Sequence, residues 1–143
     1  MHSGILAPVA LLALWSMVML AWTLTTRMGA LKKMGVDISK VRGTKPNMLD
    51  GVLPDKTMWV AHNYNHLMEQ PTAFYAVALA LAIMGMGDGL NAWLAWAYVG
   101  LRIVHSLVQA TTNIVGIRFM LFVLSSLCLV ALALHALLGA LLN

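Results

Sequence analysis

The sequence predicts an all-α integral membrane protein, a four-helix bundle forming a single domain over residues 1–143. Three observations carry this. Apolar residues make up 61% of the chain and charged ones 10%, where soluble domains carry about 25% charged residues. Mean hydropathy is +0.82. Four apolar segments, at about residues 4–26, 58–84, 90–115 and 117–142, each approach or exceed the ~20 residues that cross ~30 Å of hydrocarbon as a helix.

The first segment reads as a retained anchor. Met1-His2-Ser3 carries no Lys or Arg, and the apolar run that follows is longer than the ~7–15 residues of a signal core. Residues 27–57 read as a loop, punctuated by Gly29, Gly35, Gly43, Pro46, Gly51 and Pro54. This loop holds Arg27, Lys32, Lys33, Lys40, Arg42, Lys45 and Lys56, seven of the nine basic residues, whereas the turn Gly85–Gly89 has none. The positive-inside bias therefore puts the loop in the cytoplasm and both termini outside, and a bacterial inner membrane is the expected residence.

The net charge of +4 then reflects topology and contact with lipid headgroups. No nucleic-acid partner is expected, because the basic residues lack interleaved aromatics and a binding fold. Trp59, Trp93 and Trp96 fall near helix ends, where interfacial belts form, while Trp15 and Trp22 sit deeper. Cys128 stands alone, which excludes an intrachain disulfide and a cysteine-based metal site. The 11 methionines are scattered and read as packing residues.

The second and third segments are oily overall yet carry ionisable and amide groups. A charge near the bilayer centre costs roughly 2.5–3.5 kcal/mol on insertion scales, so several retained together point to an interface or a wet cavity. In the second segment His62, Asn65 or His66, and Glu69 follow helical spacing and share one face over two turns. Pro71 should free the Leu67 carbonyl and kink the helix beside Glu69.

In the third segment Arg102, His105, Ser106, Gln109, Thr112 and Asn113 lie along one side. Helical rise brings these residues level with Glu69, so a Glu69–Arg102 or Glu69–His105 contact is expected. His62 and His66 also read as satisfied polar residues near the inner interface, and Gln109 and Asn113 as interhelical hydrogen-bond glue. His135, alone among leucines and alanines, reads as snorkelling or capped. His62, His66, Glu69 and His105 would suit zinc or iron. No metal is expected, however, because the His-Glu-x-x-His order is absent and one glutamate is too few for a dimetal bundle.

The run Glu69-Gln70-Pro71-Thr72-Ala73-Phe74-Tyr75, followed by Arg102-Ile103-Val104-His105-Ser106 and by Gln109, Asn113 and Arg118, resembles the bacterial branch of the MAPEG family, the membrane-associated proteins of eicosanoid and glutathione metabolism. The likeness extends over nearly the whole chain, including the basic first loop and a short connection at Gly116. It implies a homotrimer of four-helix subunits, with glutathione as co-substrate held between neighbours in the cytoplasmic half.

By the same resemblance, Glu69 binds the glutathione amino group, His62 and loop bases its carboxylates, and Arg118 at the junction of the last two helices stabilises the thiolate. The facing polar stripes add Asn65, His66, Arg102, His105, Gln109 and Asn113 to the expected binding set. The chain departs from the family pattern at several positions. His62 stands where the family has Arg, His66 where it has Asn, Gln70 where a Tyr often follows the Glu, and Leu107 and Thr111 where it has tyrosines. The implied activity is glutathione transfer or peroxidase chemistry on lipophilic substrates. The alternative is a non-catalytic scaffold, lipid-binding protein or accessory subunit of a larger membrane complex.

Overall fold

The computed structural model describes residues 3–43 and 48–142. Lys45 and Pro46 of the basic loop, and Met1 and His2 before the first segment, lie outside the described residues. The elements are α1 (Leu6–Lys33), a short 3-10 turn (Ile38–Lys40), α2 (Asp55–Leu67), α3 (Gln70–Ile83), α4 (Leu90–Thr111) and α5 (Val115–Leu142), with no strand among the described residues. They form four helical segments, the second in two pieces. By length and apolarity alone, α1 and α5 are each able to cross a membrane.

α1 continues seven residues past the boundary expected at residue 26. Arg and Lys are good helix formers, and the helix stops only where Gly35 takes a positive φ of 69° and Val36 N–H returns to the Leu31 carbonyl at 3.1 Å. Lys32 and Lys33 in its last turn complement the dipole. The interior stripe is Pro8, Leu12, Ser16, Met19 and Thr23. Ser16 and Thr23 donate their hydroxyls to the Leu12 and Met19 carbonyls at 3.0 and 2.8 Å, so neither is a lost bond in an apolar setting.

The loop expected over 27–57 is thus shorter, since α2 also starts early, at Asp55. In the loop, Ser39 first and Lys40 next hold the Asp37 carboxyl below its usual range by hydrogen bonding.

The span expected over 58–84 as one helix kinked at Pro71 is broken into two helices there. Pro71 has no N–H, and its ring excludes the Leu67 carbonyl; Glu69 leaves helical geometry at φ −88°, ψ −90°. α3 then restarts, with the Thr72 hydroxyl donating to the Glu69 carbonyl at 2.7 Å. The connection expected at Gly116 also shifts: Gly116 is inside α5. The turn is made by Asn113 at φ 53°, a left-handed position that Asn tolerates, and its N–H closes onto the Val108 carbonyl at 2.7 Å.

At the end opposite the basic loop, Gly4 N–H donates to Asp88 Oδ1 at 2.6 Å and Ile5 N–H to the Gly87 carbonyl at 2.9 Å. A Cβ on Gly87 would meet Ile5 Cγ2 at 2.7 Å, so only glycine permits this approach.

α4 is central, packing on α1, α2 and most extensively on α5. Its buried stripe runs from Asn91 through Ala95, Tyr98, Val99, Arg102, His105 and Ser106 to Gln109 and Ala110. Phe74 and Tyr98, both fully buried, stack at 4.4 Å between centroids. Lipid tails solvate an exposed Phe as well as the core does, so Phe74→Ala loses packing and leaves a cavity without a large transfer term. The expected cost is about 3 kcal/mol, the low end for this substitution, read by reversible unfolding in mixed micelles.

Candidate functional site

The polar groups of α2 and α4 meet around Arg102, whose side chain is 0% exposed. Its Nη1 lies 3.4 Å from His66 Nε2, and its Nη2 donates to the His66 carbonyl at 3.2 Å. That carbonyl, at the end of α2, takes Arg102 on a second lone pair beside a long bond from Glu69 N–H at 3.4 Å. The carbonyl gripped is therefore that of His66, where the sequence pointed to Leu67.

A guanidinium only donates, so His66 Nε2 accepts and the ring proton sits on Nδ1, facing Glu69 Oε2 at 3.2 Å. The expected Glu69–Arg102 and Glu69–His105 contacts do not form. The Glu69 side chain is 70% exposed and its hydrogen-bond partner is His66 Nδ1, because the turn at residues 68–69 rotates it off the face that a continuous helix would have presented. Among the described residues no carboxylate lies within 4.0 Å of Arg102, and its Nε has no partner.

His105 is buried one turn along α4, its ring 5.0 Å from that of His66. Phe122 of α5 stands 5.6 Å from His66 on the other side. His66, His105, Val115, Arg118, Phe119 and Phe122 wall a cavity of about 210 Å³. Arg118 Nη1 donates to Asn113 Oδ1, so the αL turn aims the guanidinium. Gln109, one turn beyond His105, is buried with its Oε1 unpartnered.

Other predicted positions lie elsewhere. Asn65 is exposed, and exposed His62 reaches Asp50 Oδ1 at 3.2 Å in a separate pocket with Asp55, Met58, Trp59 and Asn113. Thus His62 and Asn65 of α2, and Glu69 just past its end, face outward; of the four residues expected on that stripe only His66 turns toward α4. Among the described residues no three His, Cys, Asp or Glu side chains cluster as a metal set.

Sequence reasoning missed Asn63, the α2 residue that faces α4. It is fully buried and donates to Ser106 Oγ. Its signal was the stripe Val60, Asn63, Leu67. Phe122 was missed as well, since one aromatic on an oily helix carries no mark. His135, which looked isolated, bonds Asn91 Oδ1 at 2.6 Å.

Helices long and apolar enough for a bilayer, with a buried guanidinium between them and an open cavity lined by a second one, define a class of helical membrane protein with an internal polar site. Within that class the chain belongs to the MAPEG family, whose model matches residues 5–138; it is a membrane protein of a family that includes glutathione transferases and peroxidases. No curated protein and no solved structure matches the chain.

Proposed function

We propose that this protein binds glutathione at the His66–His105–Arg118 cavity and joins it through its sulfur to lipophilic electrophiles, or uses it to reduce lipid hydroperoxides. One observation carries the reading: Arg118 lines a cavity with His66 and His105, and behind His66 the buried Arg102 has no carboxylate partner within 4.0 Å among the described residues. A buried cation in that condition favours an anionic guest. Arg118 is itself part of the cavity wall, and a cation beside a thiol stabilises the thiolate. In conjugation, thiolate sulfur forms a bond to an electrophilic carbon as the leaving group departs with the bonding pair.

The outward polar face of α2, with His62, Asn65 and Glu69, supports a homotrimer in which a neighbouring copy covers it and supplies the remaining contacts. The basic loop supports a cytoplasmic face for the site, in a bacterial inner membrane.

Glutathione at 100 times its Kd should add about 2.7 kcal/mol to stability in detergent, seen as a rise in unfolding temperature. A second reading, a non-catalytic lipid-binding or accessory subunit, is favoured by the outward Glu69 and by His62 being tied to Asp50 outside the cavity. No shift at millimolar glutathione would put that reading ahead.

A further inference from the structure

At the end of the bundle opposite the basic loop, two methionine side chains meet α5 one helical turn from an imidazole. Met84 caps α3, and Met86 sits in the turn that follows. Both reach one point on α5: a side chain built at Gly139 would meet Met86 Sδ at 2.5 Å and Met84 Cε at 3.6 Å. Gly139 thus leaves a notch that the two methionine tips fill. His135 lies one turn before Gly139, on the same face of α5.

The tautomer of His135 is settled by its neighbours. Asn91 donates its amide N–H to the Met86 carbonyl at 2.8 Å, which leaves Asn91 Oδ1 as an acceptor, 2.6 Å from His135 Nδ1. The ring proton is therefore on Nδ1. Nε2 keeps its lone pair and makes no hydrogen bond to a described residue. An imidazole oriented through its other nitrogen by an amide oxygen has the arrangement typical of a metal-ligating histidine, and Asn91 links it directly to the backbone of Met86.

We propose that Met84, Met86 and His135 form a binding site for a soft monovalent cation, Cu(I) or its analogue Ag(I). Thioethers are poor ligands for zinc, magnesium or calcium and good ones for Cu(I). Two sulfurs and a neutral nitrogen supply a three-coordinate set without charge, suited to a +1 ion at the edge of the hydrocarbon layer. The site is separate from the cationic cavity and does not depend on glutathione binding.

The test is Ag(I) titration of the purified protein in chloride-free, thiol-free detergent buffer. A Cys128→Ala background removes the sole thiol. Methyl resonances of ¹³C-methionine and displacement from a competing chelator are the two readouts. The expected result is saturation at one equivalent, with the Met84 and Met86 methyls shifting and the remaining nine methionines unmoved. Met84→Leu/Met86→Leu, which preserves volume, should weaken binding at least ~10-fold, and His135→Phe about as much. Cu(I) under ascorbate, competed with bicinchoninate, should show the same ranking. Equal affinity in the double leucine variant, or shifts spread evenly over all methionines, overturns the proposal. Retained helical circular dichroism in the variants excludes misfolding as the cause of lost binding.

Discussion

Arg118→Ala should lower kcat/KM for glutathione with an activated aryl halide by about 100-fold at pH 6.5, a loss comparable to removing one preorganised charge-stabilising donor. The sign of the pH dependence is specific. A guanidinium beside the sulfur lowers the thiol pKa, so the native protein holds thiolate at pH values where a free thiol, with a pKa of ~8.5, is still protonated. The variant loses that advantage, and its rate should climb with pH as thiolate forms unaided. The deficit should therefore be largest in acid and shrink toward pH 9. Because Arg118 is braced through Asn113 Oδ1, Asn113→Ala should reproduce part of the loss with the same pH trend. Unchanged turnover in Arg118→Ala across the pH range would remove this residue from the chemistry.

Arg102→Leu should separate stability from binding. The native guanidinium is fully buried and faces a neutral imidazole and a carbonyl instead of a carboxylate. Its desolvation is thus incompletely offset, and replacing such a charge with a hydrophobe of similar bulk is typically neutral or stabilising by about 1–4 kcal/mol. An anionic guest that relied on it should lose about 2–5 kcal/mol, at least ~30-fold in Kd. A variant that unfolds at the same or higher temperature yet no longer responds to glutathione is the expected outcome. If Arg102→Leu bound glutathione normally and unfolded far earlier, Arg102 would be a helix-register residue and the anion-site reading would fall.

Much of the architecture was readable because lipid imposes a simple rule: spans must be long, oily and helical. The positions of α1, α4 and α5, the glycine-rich turn at 85–89 and the polar side of α4 all follow from it. The facing of α2 was harder to read. Residues 62, 63, 65, 66 and 69 are all polar, so the pattern had little contrast, and only Val60 and Leu67 mark the true inner face around Asn63. Pro71 signalled the break, but proline alone does not reveal the rotation that a non-helical ψ at Glu69 produces, and this rotation moved the carboxylate off Arg102. The end of α1 was misplaced because lysines and arginines were read as loop residues, although their intrinsic preference is helical. His135 and Asn91 are 44 residues apart, and no local pattern joins them.

The pinning of Gly4 and Ile5 onto Asp88 and Gly87 sets a constraint on biogenesis. The two partners of the Gly4–Asp88 bond are 84 residues apart, and ribosomes add roughly 5–20 residues per second, so Gly4 waits on the order of 4–17 s after its own addition before its acceptor is made. During that interval the amides at the leading end of α1 must be served by water at the headgroup layer. The nascent first helix is therefore a provisional tenant of the bilayer, and its final tilt is decided only when the α3–α4 hairpin emerges.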